Sequence, residues 1–334
     1  MFDLKRVRPL DAIIAAVAVV VVLMGAYLGY AVWASNRAEK ATSPAERAIG
    51  SFVAKVRKNP NDINARMQLA QAYSVAGRER EAIQQYREVL KVDKEYVPAL
   101  SGIGFSSLKE KEYKTAEGYF RKIVDLIGGK VDSGREASLE SAYFYLGTAL
   151  FEQRDYEEAA ANFKEALRLR KDGADTHYAL ARTYFELDSP QAYRESLENA
   201  LLFDPKMPEA NYDYGVILLD EGDLAGAAEH FRTSADAAPT IDKPRDALNK
   251  LGPFAQRLTS AKSLQQADEK KALVQARIAV ALDPQSVEAK LLMGTLYEKT
   301  GDKEKAAAAY RSVLSIDPTN KSATDALKRV TDGS

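Results

Sequence analysis

The sequence contains no cysteine and only two histidines, His177 and His230, among its 334 residues. Without cysteine the chain forms no disulfide, iron–sulfur centre, thiolate nucleophile or cysteine-ligated zinc site. The two histidines are far apart in sequence, which excludes a histidine-rich metal site as well. No metal ion and no cofactor are therefore expected.

The sequence also lacks the short motifs that mark common catalytic sites. It has no Gly-x-Ser-x-Gly elbow, no glycine-rich phosphate loop ending in Lys-Ser or Lys-Thr, and no His-Glu-x-x-His zinc motif. Neighbouring carboxylates such as Glu157 and Glu158 point about 100° apart on a helix and form no facing acid–base pair. We expect no catalytic residues, no enzymatic activity and no small-molecule substrate.

The chain also lacks an excess of acidic or basic residues. The chain has 47 basic and 48 acidic residues, which give a formal net charge of −1, so the charge balance does not indicate a nucleic-acid partner. Hydrophobic residues make up 46% and charged residues 28% of the chain. This composition is typical of a folded protein with a solvated surface.

One long uncharged stretch lies near the N-terminus. Residues 12–34 read AIIAAVAVVVVLMGAYLGYAVWA and carry no charge. As a helix this run spans ~34 Å, enough to cross a hydrocarbon core of about 30 Å. Tyr27, Tyr30 and Trp33 gather at its C-terminal end, where aromatic rings suit the membrane interface. The run predicts a transmembrane anchor after a short tail, 1–11. A cleaved signal peptide is the alternative, although its apolar core is usually only about 7–15 residues long.

The orientation of this anchor follows from the cations around it. Three Lys or Arg residues lie in the tail before the run, and three lie shortly after it. The leading three are crowded into a very short tail, and a long following domain crosses a membrane largely regardless of its charge. We therefore expect a single-pass membrane protein with a cytoplasmic N-terminus and an extracytoplasmic soluble part.

A 34-residue period runs through the sequence after about residue 60, lengthened by nine residues between the second and third copies and by about ten within 241–284. Five pairs of a small and an aromatic residue mark it most clearly: Ala82 and Tyr86, Ala116 and Phe120, Ala159 and Phe163, Ala227 and Phe231, and Ala306 and Tyr310. Small residues that pack against large ones allow two helices to approach closely. Gly77, Gly222 and Gly301 also recur in the pattern, and glycine adopts the left-handed backbone of a turn without strain.

On these residues the sequence resembles the tetratricopeptide-repeat family. The resemblance implies that each copy is a pair of antiparallel helices, with Gly77, Gly222 and Gly301 in the turn between them. The resemblance implies an all-α, right-handed superhelical solenoid over residues 63–320, with about six clear repeats and a degenerate one at 241–284. A linker and a leading helix over 35–62 precede the solenoid, and a capping helix and tail over 321–334 follow it.

In this family the first helix of each copy lines a concave groove in which protein segments or peptides bind. Transfer of that face gives the candidate groove residues Phe105, Phe144, Phe151, Tyr178, Arg182, Phe185 and Tyr212. Aromatic side chains on one face suit an apolar or amphipathic partner segment. The alternative is that some of these rings pack between repeats, or are covered by the irregular segment 241–284.

Together, the resemblance and the predicted anchor imply a membrane-anchored adaptor for a protein or peptide partner, in envelope, secretion, pilus or cytochrome assembly. A self-assembling structural scaffold and an accessory subunit of a membrane enzyme are the alternatives. Repeats that hold the C-terminal carboxylate of heat-shock chaperones carry Lys and Asn in the groove. The first copy has Met67 and Gln71 there, so that specificity is not expected.

Overall fold

The computed structural model describes residues 24–33, 44–129 and 135–332, and all regular secondary structure in these ranges is helical. The chain divides into two compact units, Met1–Gln153 and Arg154–Ser334. The all-α fold that the repeat pattern predicts is confirmed in both units.

The first unit is built from helices that pack on their neighbours in sequence. Its helices are α1 (24–33), α2 (Pro44–Lys58), α3 (Ile63–Val75), α4 (Glu79–Val92), α5 (Val97–Lys109), α6 (Tyr113–Ile127) and α7 (Glu136–Glu152). Helices α3 and α4 form one hairpin, and α5 and α6 form the next. The leading helix α2 packs on α3 through Ile49, Leu69 and Ala72.

The second unit continues the same construction. Its helices are α8 (Tyr156–Leu169), α9 (Ala174–Glu186), α10 (Pro190–Phe203), α11 (Pro208–Asp220), α12 (Leu224–Ala237), α13 (Asp242–Lys250), α14 (Phe254–Leu264), α15 (Glu269–Leu282), α16 (Val287–Lys299), α17 (Lys303–Ile316) and α18 (Lys321–Asp332). Hairpins form between α9 and α10, α11 and α12, α14 and α15, and α16 and α17. Helix α18 packs on α17 through Ala326 and Val330.

Close approach within a hairpin depends on a glycine that faces an aromatic ring. A Cβ atom added at Gly104 would lie 2.6 Å from Cζ of Phe120, and one added at Gly215 would lie 2.7 Å from Cε1 of Phe231. Both rings are fully buried. The small residues of the repeat pattern therefore set the distance between the two helices of a hairpin.

The turn between the helices of a hairpin has a left-handed residue, as the glycine positions predict. Positive φ angles occur in these turns at Gly77 (71°), Lys111 (59°), Asp188 (48°), Gly222 (83°) and Gly301 (88°). The prediction is thus confirmed for the three glycines. In two other hairpins a residue with a Cβ atom adopts the same conformation, which L-residues adopt only at a cost in free energy.

The segment after α12 departs from the regular hairpin. Helix α13 packs on α12, whereas α14 pairs with α15. Residues Leu251, Gly252 and Pro253 separate α13 from α14, with Gly252 at a φ of 99°. The guanidinium of Arg257 donates a hydrogen bond to the carbonyl of Leu251 at 2.7 Å. This bond satisfies a carbonyl at the end of α13, where no helical partner follows.

The predicted anchor falls mostly outside the described residues. Of the run 12–34, the structure describes only 24–33, a helical segment whose side chains are mostly exposed. None of the helices in the described part of the chain is long and apolar enough to cross a membrane.

Candidate binding groove

A groove lies between α9 and α11 in the second unit and encloses a cavity of about 490 Å³. Four of the predicted groove residues line it, namely Tyr178, Arg182, Phe185 and Tyr212. The first three follow one another at spacings of four and three residues on α9, which places them on one helix face. Tyr212 faces them from α11. The structure therefore brings these four side chains together.

A hydrogen bond joins the two helices at the base of the groove. The hydroxyl of Tyr178 donates to Oδ2 of Asp213 at 3.0 Å. Burial, and then the charge of Asp213, raise the pKa of Tyr178 well above its usual range. Burial also raises the pKa of Asp213, although the Tyr178 hydroxyl and the cations Lys243 and Arg182 oppose this shift. The ionised carboxylate of Asp213 is therefore only partly compensated by its neighbours.

Phe185 forms the exposed rim of the groove. Its side chain is 64% exposed, and its ring centroid lies 5.4 Å from that of Tyr193 on α10. A large ring that is packed on one side and open to water on the other has apolar area left to bury.

Lys243 also lines the groove. It lies at the start of α13, and its Nζ is 4.1 Å from the ring centroid of Tyr212. A second cavity of about 120 Å³ is lined in part by Ile241 and Pro244, and it shares Tyr178, Tyr212, Asp213 and Lys243 with the first. The irregular segment after α12 thus contributes a charged side chain to the groove.

Two of these residues, Asp213 and Lys243, are missing from the sequence prediction. Asp213 comes 35 residues after Tyr178, its hydrogen-bond partner, so the repeat register already placed it on the facing helix. No comparable signal existed for Lys243, because its position depends on where the irregular helix α13 packs.

The other three predicted groove residues lie in the first unit, around α5 and α7. The ring of Phe105 is 4.3 Å from that of Tyr145 and 5.6 Å from the buried ring of Phe120. Phe144 contacts Tyr145 at 4.9 Å. Phe105 and Phe144 therefore pack against neighbouring rings, with 37% of Phe105 still exposed, and Phe151 is half-buried near the end of α7.

Both histidines have partners within the protein. Nδ1 of His230 lies 2.9 Å from Oδ1 of Asn211, and burial lowers the pKa of this imidazole. Nε2 of His177 lies 3.0 Å from the carbonyl oxygen of Lys171. Among the residues that the structure describes, no group of three or more His, Cys, Asp or Glu side chains could hold a metal ion.

Four family models match the chain. A TPR repeat model matches residues 139–188, and three tetratricopeptide repeat models match 42–99, 178–240 and 287–320. Together these stretches cover more than half of the chain, including both helices of the groove.

Two curated proteins resemble the chain over part of its length. Protein O-mannosyl-transferase TMTC3 of Homo sapiens is 22% identical over 195 residues, which are 54% of this chain and 20% of that protein. An uncharacterised TPR repeat-containing protein of Arabidopsis thaliana is 27% identical over 177 residues, which are 45% of this chain and 21% of that protein. The chain spans about a fifth of the length of these relatives.

Among solved structures, the C-terminal part of a TPR repeat-containing protein from Cytophaga hutchinsonii is similar to this chain. It is 18% identical, with a TM-score of 0.48, over 87% of this chain and 97% of that one.

Proposed function

We propose that this chain is an adaptor whose groove between α9 and α11 holds a segment of a partner protein. The premise of this proposal is that the chain belongs to the tetratricopeptide-repeat family. The observation that carries this proposal is the 64% exposed ring of Phe185 beside a cavity of about 490 Å³. Cavities of ~300–1,000 Å³ are the size in which proteins hold ligand groups. Covering the ring of Phe185 removes apolar surface from water and so favours association.

The composition of the groove supports a protein segment as its occupant. Its apolar surface comes from rings and from Val216 and Ile217, and it is interrupted by charged groups such as Arg182 and Asp213. Such a mixture matches a peptide that carries both apolar and polar side chains. The chain acts in this proposal as a binding protein without catalytic residues, cofactor or small-molecule substrate.

The proposal includes attachment to a membrane. Residues 12–34 form the anchor, the tail 1–11 is cytoplasmic and the repeats lie on the other side. The uncharged run and its terminal aromatic residues support this arrangement. The adaptor then holds its partner at a membrane surface, as in envelope, secretion, pilus or cytochrome assembly.

Photo-crosslinking tests the proposal in cells that express the full chain. We place p-benzoylphenylalanine at position 185 and expect a light-dependent adduct with one distinct protein, identified by mass spectrometry. The matched control places p-benzoylphenylalanine at position 202 instead. Leu202 is a 69% exposed apolar residue on α10 that does not line the groove.

The adduct pattern decides between the functions. A distinct adduct at position 185 that is absent at position 202 supports the adaptor. Adducts formed only with other copies of the chain favour the self-assembling scaffold. Identical adducts at both positions, or none at position 185, contradict binding in the groove.

A further inference from the structure

The groove already holds a cation that belongs to the chain. Nζ of Lys243 lies over the ring of Tyr212, 4.1 Å from its centroid, and its charge also acts on Asp213. The negative face of an aromatic ring attracts an ammonium or guanidinium group, and a carboxylate beside the ring strengthens that attraction. Tyr212 and Asp213 therefore form a site whose chemistry suits a cationic side chain.

Lys243 is a replaceable occupant of this site. Its side chain is exposed, and cation–π contacts at exposed positions are weak. A long lysine side chain also regains rotamer freedom when it leaves such a contact. Displacement of Lys243 into solvent by a partner side chain therefore costs little.

The charges that line the groove favour a positively charged side chain in place of Lys243. The cavity is lined by the carboxylates of Glu186, Asp213 and Asp220, and by the cations Arg182 and Lys243. Once Lys243 leaves, three acidic residues face one guanidinium. Tyr178 donates to only one carboxylate oxygen of Asp213, so the other oxygen can accept a hydrogen bond from an incoming cation.

Phe185, at the rim of the groove, offers the partner a second contact at a defined distance from the cation site. Phe185 and Tyr178 are seven residues apart on α9, which corresponds to ~10 Å along the helix axis. An extended segment of the polyproline-II type returns its side chains to the same side every third residue, over about 9 Å. Because the Tyr178 hydroxyl contacts Asp213, a cation on Asp213 and an apolar side chain on Phe185 are about three residues apart in such a segment.

We infer that the partner segment places a Lys or Arg side chain on Tyr212 and Asp213 in place of Lys243, and an apolar side chain about three residues away on Phe185. This inference rests on the proposed binding function of the groove and adds the chemistry of the partner. It makes Lys243 an internal competitor of the partner for the same site.

Peptide binding to the purified full chain tests this inference. The probes are fluorescein-labelled hexapeptide mixtures with a leucine three positions after one fixed residue, which is lysine, norleucine or glutamate. By fluorescence anisotropy we expect the lysine mixture to bind several-fold more tightly than the norleucine mixture, and the glutamate mixture to bind most weakly. Asp213→Asn should abolish the preference for lysine.

The variant Lys243→Gln removes the internal competitor. Its affinity for the lysine mixture should rise roughly three-fold, the scale of an exposed cation–π contact, while its affinity for the norleucine mixture stays the same. The matched control is Lys250→Gln, which makes the same charge change at an exposed position on the same helix. Circular dichroism of each variant verifies that it remains helical.

Each outcome decides the inference. Equal binding of the lysine and norleucine mixtures, or equal effects of Lys243→Gln and Lys250→Gln, would overturn it and leave the groove as a binding site for other segments. If no mixture binds, the inference is also wrong, and crosslinking from position 185 then judges the proposed function separately.

Discussion

At the scale of single residues, a buried and a half-buried carboxylate show how hydrogen bonds determine the sign of a pKa shift. Glu79 is only 5% exposed and accepts hydrogen bonds from Ser106 at 2.7 Å, Lys109 at 2.9 Å and Ser74 at 2.9 Å. Burial by itself raises the pKa of Glu79, but these donors together lower it. Asp213 has a single tyrosine donor, so burial dominates and its pKa is raised.

Replacement of Glu79 by alanine should therefore destabilise the first unit. Ser106 would lose its partner in a buried position, and we expect the free energy of unfolding to fall by about 3 kcal/mol, measured by urea denaturation at neutral pH. Because the folded pKa of Glu79 is lowered, its contribution is present above the ordinary pKa of 4.5 and is lost as the pH falls through the folded value.

The control for this substitution is Glu88→Ala. Glu88 lies on the same helix and pairs with Lys91, whose side chain is 70% exposed. Exposed pairs of this kind contribute about 0.5 kcal/mol or less. Equal losses for the two variants would contradict a stabilising role for the buried cluster around Glu79.

Asp213→Asn should have the opposite effect on stability. Since the folded pKa of Asp213 is raised, its ionisation at neutral pH costs free energy that an amide does not. We expect a higher melting temperature for the variant at pH 7. The difference should vanish at about pH 3, below the ordinary pKa of 3.8, where the carboxyl is protonated in both states.

Thermal melts monitored by circular dichroism at the two pH values measure this effect. The exposed residue Asp220, which lies on the same helix, provides the control Asp220→Asn. A lower melting temperature for Asp213→Asn at pH 7 would mean that the carboxylate is a net stabilising group.

At the scale of the elements, the sequence pattern predicted the succession of regular hairpins but not the packing of the irregular segment. Pairs such as Ala116 and Phe120 recur because every hairpin must place small residues against large ones. The break at Gly252 and Pro253 has turn chemistry that can be read from the sequence. The packing of α13 on α12 and of α14 on α15 is a tertiary outcome without a periodic signal, so the place of Lys243 in the groove could not be predicted.

The same substitution should have opposite effects on two neighbouring helices. Gly104→Ala places a methyl group against the buried ring of Phe120 and should destabilise the first unit by about 1–3 kcal/mol. Gly118 on α6 is exposed and has no atom within 4 Å of an added Cβ, so Gly118→Ala should stabilise by about 0.5–1 kcal/mol. Urea denaturation compares the two variants, and a change of the same sign in both would refute this packing argument.

The turn residues offer a stabilising change. Lys111 has a φ of 59°, a conformation that costs an L-residue about 1–2 kcal/mol. Glycine removes this strain, but it also gives the unfolded chain more conformational freedom, which lowers the free energy of unfolding by about 0.5–1 kcal/mol. Lys111→Gly should therefore raise the free energy of unfolding by about 0.5–1 kcal/mol in a denaturant titration, and Gly77→Ala should lower it. A loss of stability for Lys111→Gly would show that the lysine side chain contributes more than its backbone costs.

At the scale of the whole molecule, the candidate groove lies within the second unit and the predicted anchor lies at the N-terminus. Deletion of residues 12–34 should release the chain from membranes into an alkaline carbonate wash, whereas the full chain should stay in the pellet, because a long uncharged helix is stable in the bilayer. Deletion of the polar linker 35–42 is the control and should leave the chain in the pellet. Release of the full chain by the wash would contradict the anchor.

The packing of helices on their neighbours in sequence has a consequence for the speed of folding. Contacts between residues that are close along the chain have a low cost of loop closure, so hairpins such as those of α3 with α4 and α16 with α17 can form early and independently. In an array of this kind, structure spreads from any hairpin that forms first to the next one. The chain can therefore begin to fold while its later repeats are still being synthesised.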